Sequence, residues 1–202
     1  MLRTMARQFA EQEMLPTLKE YEQQHKVNYD VIKKMGSLGL IGAHISQEYG
    51  GAGLDYTSAA IIWEQLSWAS WTQTLISLGQ GTLAGSILMD VADEGQKQKY
   101  LPLMCRGELF IAVAAVEPNA GSDAAAIETT AVLDGNEWVI NGTKNFVTFG
   151  NIADIVFVLA QTDKSLGTRG MALIGVDRAT PGLSSSSVEM VGGWACDLAN
   201  LG

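Results

Sequence analysis

Two short segments carry residue types that could hold a phosphate or the polar edge of a planar ring. The first is Val116-Glu117-Pro118-Asn119-Ala120-Gly121-Ser122-Asp123, and the second is Ile140-Asn141-Gly142-Thr143-Lys144-Asn145-Phe146-Val147-Thr148. The small apolar run from Ile111 to Val116 reads as a buried strand. It breaks at Pro118 and leaves Gly121, Ser122 and Asp123 in a turn, where backbone N–H groups and a hydroxyl can meet an anion. The second segment reads as a hairpin, with Asn141-Gly142 between two apolar runs.

The elements that must position these segments change texture along the chain. Residues 1–108 read as helical. Phe9, Met14, Leu18 and Tyr21 recur at helical spacing, with a kink or a helix start expected near Pro16. Asp30 is a candidate cap for a short helix through Met35. The loop from Ser46 to Asp55 holds three glycines suited to positive φ. Helices are expected near 56–69, 71–90 and 94–104. From Leu109 onward the apolar runs shorten and turn signals recur at Asp134-Gly135-Asn136, Asn141-Gly142 and Pro181-Gly182. Strands are expected near 110–116, 128–134, 137–141, 145–149, 155–162 and 170–177. The fold class is therefore α+β and multi-domain, an all-α domain over 1–108 followed by an antiparallel β-barrel or sandwich over 109–202. Ser184 to Ser187 reads as a solvated loop. The last residues, Asp197 to Gly202, show no partner strand in the sequence, so the β domain is expected to be incomplete and the chain truncated.

Composition narrows the function. A formal net charge of −9, with 13 scattered Lys and Arg, argues against a nucleic-acid partner. No apolar run reaches the ~18–20 residues of a spanning helix. Cys105 and Cys196 match no metal or redox spacing, and no metal site is expected. The first residues show neither a signal-peptide core nor an acid-poor transit pattern. A bacterial cytoplasmic location is expected, with the mitochondrial matrix as the alternative if a targeting peptide is absent. His25 and His44 have no nucleophile or carboxylate at motif spacing and read as ordinary surface or core residues.

The two segments together resemble the paired flavin-binding motifs of the acyl-CoA dehydrogenase family. The likeness extends to Lys34-Met35-Gly36-Ser37-Leu38-Gly39-Leu40-Ile41-Gly42, to Glu48-Tyr49-Gly50-Gly51-Ala52-Gly53-Leu54, and to Gln98-Lys99-Tyr100-Leu101-Pro102, in the family's order. The resemblance implies an N-terminal helical domain, a middle β domain and a C-terminal helical bundle, with FAD as cofactor. It implies α,β-dehydrogenation of an acyl-CoA thioester by α-proton abstraction and hydride transfer to the flavin. The catalytic base is expected in the missing C-terminal half, so no residue here is assigned to it, and the chain alone is expected to be inactive. An electron-transfer flavoprotein is the implied acceptor, and a homo-oligomer, dimer or tetramer, the implied assembly. An enoyl-CoA reductase on the same fold, and a non-catalytic FAD- or CoA-binding module, are the alternatives.

Position by position, the resemblance lays Val113, Ala115 and Val116 along the flavin and brings Gly121 and Ser122 to its polar groups. Ser122 also touches the CoA substrate. Phe146 covers a ring face with Val147 beside it, and Thr148 approaches the reactive edge. The family commonly has a threonine at Val116 and often a tryptophan at Phe146. Glu117 is expected to bond the amides of its own turn. The helix matching 71–90 implies an acyl-pocket wall of Ile76, Gly79, Gln80 and Leu83. Gly79, Gly81 and Gly85 share that helix, where each glycine costs roughly 1 kcal/mol relative to alanine. Either close helix packing or room for a bulky acyl group accounts for Gly79. If the glycine makes room, Gly79→Leu in the full-length protein raises KM for a branched or cyclic acyl-CoA and leaves FAD content unchanged. Equal loss for all chain lengths, or unfolding, assigns the glycine to packing.

Overall fold

In the helical part, local chemistry decides where each helix begins and ends. The computed structural model describes residues 1–202. They divide into a helical unit, Met1–Phe110 with Met190–Cys196, and a sheet unit, Ile111–Glu189 with Asp197–Gly202.

Helices α1 (Leu2–Phe9) and α2 (Leu15–Gln24) are joined by a π-helical turn, Ala10–Met14. Pro16 stands in the first turn of α2. A proline ring meets the carbonyl four residues earlier. Here that residue is Gln12, inside the widened turn, so the chain continues without a break. Helix α3 (Tyr29–Ser37) is capped by Asn28 and not by Asp30: the Asn28 Oδ1 accepts from the Val31 N–H at 3.1 Å. Asn28 wins because its amide also donates to the Thr17 hydroxyl at 2.9 Å, anchoring it on α2. Asp30 sits in the first turn instead, where its charge suits the helix dipole.

Asp55 caps α4 (Tyr56–Ala69), and Ser70 then breaks the chain and caps α5 (Trp71–Leu78). The helix expected over 71–90 is interrupted by a second π-helical turn, Gly79–Gly85, before α6 (Ser86–Val91). The glycines there allow close approach. A Cβ on Gly81 would lie 2.7 Å from the Ile41 carbonyl oxygen, and one on Gly85 would lie 2.9 Å from Ile45 Cδ1. Helix α7 (Glu94–Cys105) starts with a capping box between Asp93 and Gln96. The segment Met190–Cys196 belongs to the helical unit. Glu22 holds it by accepting from the Ala195 N–H at 3.1 Å, while His25 stacks on Trp194 with centroids 5.2 Å apart.

The sheet unit holds eight strands: β1 (Ile111–Ala114), β2 (Thr130–Asp134), β3 (Glu137–Asn141), β4 (Lys144–Thr148), β5 (Ile155–Gln161), β6 (Met171–Asp177), β7 (Ser185–Ser187) and β8 (Leu198–Leu201). The first sheet is five-stranded in the order β1-β5-β2-β3, with β6 paired to β5; the second is β4-β8-β7. They do not close into a barrel, and β1 runs parallel to β5. Their shared core is Ala112, Ala114, Val156 and Val158 from the first sheet with Val147, Ala199 and Leu201 from the second. The sandwich alternative of the sequence reading fits this layering.

Three local readings are corrected. Asn141-Gly142 does not turn a hairpin, because β3 pairs with β2 while β4 pairs with β8. Gly142 has no positive φ; a Cβ there would overlap the Thr129 side chain, so the glycine permits a close crossing between sheets. The serine run forms β7 rather than a loop, paired with β8. The last residues are not unpaired, since β8 lies between β4 and β7. Arg178 fastens this edge by donating to the Gly150 carbonyl at 2.8 Å and the Ser185 hydroxyl at 2.7 Å. Gly81→Ala is expected to destabilise the helical unit by about 1–3 kcal/mol through overpacking against Ile41. A lowered urea midpoint with unchanged slope checks it.

Candidate functional site

A buried charge pair organises the first motif. Lys144 Nζ lies 2.6 Å from Glu117 Oε1, with the two side chains 3% and 5% exposed. Lys144 also donates to the Ala115 carbonyl at 3.2 Å. Glu117 accepts from the backbone N–H groups of Glu128 at 2.6 Å and Thr129 at 3.0 Å. The carboxylate therefore serves amides well beyond its own turn, which corrects the sequence reading of a locally bonded Glu117. The turn closes instead through its backbone, where Glu117 and Ala120 exchange N–H···O bonds of 2.9 and 3.2 Å.

Burial alone would push the Glu117 carboxyl up. The Lys144 ammonium and the amide donors outweigh it and hold the group at about 2. It stays ionised and enclosed, which removes it as a general base. Gly121, Ser122 and Asp123 are exposed beyond this clasp, and the space around Gly121 is open.

Strand β4 supplies the second motif. Between Lys144 and Val147 its register against β8 shifts, so Asn145 and Phe146 together face one residue. Phe146 adopts φ +55°, a left-handed conformation that is uncommon for an aromatic residue. The residue is 59% exposed. Such strain in a non-glycine residue points toward a functional surface. The Asn145 N–H donates to the Val116 carbonyl at 2.8 Å, which joins the two motifs directly.

The expected site residues divide by face. Ala112 and Ala114 enter the core, leaving Val113 on the opposite, half-buried face of β1, with Ala115 and Val116 half-buried beyond its end. Gly121, Ser122 and Phe146 are exposed and Thr148 is half-buried. Val147 packs into the core, so its side chain is committed to the sandwich. In the helical unit, Ile76 and Gln80 are interior, Gly79 is half-buried and Leu83 is 50% exposed. The π turn explains why Leu83 departs from its neighbours: bonding from i to i+5 rotates the positions that follow. Sequence reasoning missed Lys144 as a structural charge. Its only sequence signal is a lysine in an otherwise uncharged motif.

His44 lies in the helical unit against Tyr56, with centroids 4.7 Å apart, and its Nε2 is 3.4 Å from the Ser86 hydroxyl. Desolvation lowers its pKa, and no carboxylate joins it. No cluster of three or more His, Cys, Asp or Glu side chains could hold a metal ion.

Two family descriptions match this chain. They are "Acyl-CoA dehydrogenase, N-terminal domain" over residues 1–108 and "Acyl-CoA dehydrogenase, middle domain" over residues 112–200. The chain belongs to the acyl-CoA dehydrogenase family. It is similar to the short-chain specific acyl-CoA dehydrogenase of Clostridium acetobutylicum, 39% identical over 94% of this chain and 50% of that protein. It is equally similar to the 3-(aryl)acrylate reductase of Clostridium sporogenes, 39% identical over the same shares. The glutaryl-CoA dehydrogenase of Mycobacterium smegmatis, solved in complex with FADH2, superposes with a TM-score of 0.92 at 28% identity. That match covers 99% of this chain and 50% of that one. This acyl-CoA dehydrogenase family chain thus spans about half the length of its relatives.

The clasp predicts a distinct acid response. Glu117's folded value lies below its ordinary 4.5, so its stabilisation is complete above that pH. It is lost as pH falls from 4.5 toward about 2. Lys144→Met leaves a buried unpaired carboxylate and is expected to cost about 3–5 kcal/mol at neutral pH. Glu117→Gln should also destabilise at neutral pH but flatten the acid limb. Denaturant titrations across that pH window check both.

Proposed function

We propose that this chain is the N-terminal and middle part of an FAD-dependent oxidoreductase that removes hydrogen across the α,β-bond of an acyl-CoA thioester. The observation that carries the reading is the strained, exposed Phe146 on a bulge bonded to the turn bearing Gly121 and Ser122. The residues fit a flavin: an open aromatic face, an open glycine turn with a free-standing hydroxyl at Ser122, and small side chains at Val113, Ala115 and Val116. FAD, when bound, supplies the two-electron acceptor for the substrate's hydride.

The chain's own residues bind and orient. Phe146 stacks against a ring face. The Gly121 amide and Ser122 hydroxyl hold polar groups of the cofactor, with Ser122 also touching the CoA substrate. Thr148 offers its hydroxyl near the reactive edge, and Val147 contributes only backbone. Val116 lacks the hydroxyl common at that position, which removes a hydrogen bond of ~0.5–1.5 kcal/mol. In the helical unit, Ile76, Gly79, Gln80 and Leu83 are assigned to the acyl group. An electron-transfer flavoprotein as acceptor, a homo-oligomeric holoprotein and a cytoplasmic location go with this reading. No helix is long and apolar enough to cross a membrane.

A second direction has specific support. The Clostridium sporogenes reductase is as similar as the Clostridium acetobutylicum dehydrogenase. One flavin surface serves both directions, so the full-length protein decides. Anaerobic bleaching of its flavin absorbance by a saturated acyl-CoA supports dehydrogenation, whereas reoxidation of pre-reduced flavin by only an enoyl-CoA supports reduction. Flavin bound without response to either marks a non-catalytic module. Phe146→Ala is expected to weaken FAD binding by about tenfold through lost stacking. Unchanged affinity would remove Phe146 from the cofactor site.

A further inference from the structure

We propose that Asn200 is a positioning residue, which fixes the ring of Phe146 by accepting the one backbone hydrogen bond that the β4 bulge leaves open. The inference rests on the flavin reading of Phe146. Its starting point is the register: Lys144 faces Leu201 and Val147 faces Ala199, so Asn145 and Phe146 both stand opposite Asn200. A bulge of this kind strands the amide of its extra residue. Here the two amides go in different directions. Asn145 donates to the Val116 carbonyl at 2.8 Å, and Phe146 donates to the Asn200 side-chain carbonyl at 3.2 Å.

Asn200 is suited to this by type and place. It sits on central strand β8, between Ala199 and Leu201, whose side chains are buried in the core. Its own backbone is held by pairing with Ser186. The side chain leaves from the opposite face of that strand, half-buried, beside the bulge. An amide oxygen accepts without bringing a charge beside the exposed aromatic. A left-handed Phe146 has no intrinsic preference for that backbone conformation, so a specific acceptor is needed to select it. Without the acceptor, the bulge can relax by returning Phe146 to an extended conformation, and the ring then changes face.

The test uses the full-length, flavin-loaded protein. Asn200→Ala is expected to loosen FAD by about tenfold and to change the visible circular dichroism of the flavin, while Asn200→Asp keeps an acceptor and restores the dichroism, with affinity only partly recovered because it adds a charge beside the ring. Glycine adopts φ +55° freely. In a Phe146→Gly background, Asn200→Ala should therefore add little further loss of affinity. Wild-type affinity and spectrum in Asn200→Ala would overturn the proposal. So would an undiminished effect in the glycine background, which would place Asn200's role in the β7–β8 pairing.

A flavin-independent arm separates this inference from the reading beneath it. With 4-fluorophenylalanine at position 146 in the apoprotein, Asn200→Ala is expected to shift or broaden the fluorine resonance, and no change would overturn the positioning role. A protein that binds no FAD but shows this shift would refute the flavin reading alone. If Asn200→Ala fails to fold, hydrogen exchange in the wild type decides. A protected Phe146 amide supports the bond, and exchange at an open-loop rate overturns it.

Discussion

The arrangement of the sheet unit depends on one charge pair taken out of water. Three other ion pairs, Arg3–Glu64, Lys34–Glu13 and Arg106–Glu108, have side chains 35–61% exposed and add little. Glu117 and Lys144 differ because almost no solvent reaches them. Desolvating two charges is expensive, and the attraction compensates only if the remaining donors and acceptors are filled. They are filled here by the Ala115 carbonyl and the Glu128 and Thr129 amides. The geometry has a consequence beyond energy. Four segments meet at this pair: the end of β1, the turn after it, the approach to β2 and the start of β4. The Thr129 carbonyl in turn accepts from the Gln161 amide at 2.8 Å, extending the connection to the end of β5.

Rigid support of this kind allows local strain to persist close by. Lys144 is two residues from Phe146, so the bulge begins at the fixed end of the clasp. A second left-handed aromatic, Phe149 at φ +64°, follows at the other end of β4. Its amide donates to the Asp197 carbonyl at 2.8 Å, and the Asp197 carboxylate accepts from Asn151. Phe149 is buried while Phe146 is exposed. The first is a corner that fills the core. The second has strain without burial to offset it, which is why it points to a surface used for binding.

Much of this was legible in the sequence where one residue type serves one local purpose. The helices expected near 56–69 and 94–104 form as Tyr56–Ala69 and Glu94–Cys105, and the alternating or uniformly apolar runs at 111–114, 155–161 and 171–177 became strands. Legibility failed where tertiary contacts reassign a local signal. Asn141-Gly142 has hairpin chemistry, yet its glycine is needed to pass Thr129. Ser185–Ser187 has no apolar pattern because β7 is an exposed edge whose order comes from β8 and Arg178. The four-residue alternation of β8 is too short to stand out. For the candidate site, the motif residues are proposed on their types alone. Lys144 and Asn200 were not legible, because their work is to satisfy backbone and charge groups distant in sequence.

The helical unit shows the same limit in a different form. The acyl-pocket wall that the family resemblance implies, Ile76, Gly79, Gln80 and Leu83, shares one face of the helix only if every turn closes at i→i+4. The π turn at Gly79–Gly85 breaks that condition, and Leu83 emerges to solvent while Ile76 and Gln80 remain inside. The cause is traceable to packing: Gly81 and Gly85 bring the helix against Ile41 and Ile45 more closely than any side chain permits. The Ser77 hydroxyl, one turn earlier, bonds the Leu40 carbonyl and secures the same approach. Close contact with the 40–45 segment thus sets the helix phase beyond Gly79. Gly81 and Gly85 thereby fix the rotation at which Ile76, Gln80 and Leu83 present their side chains.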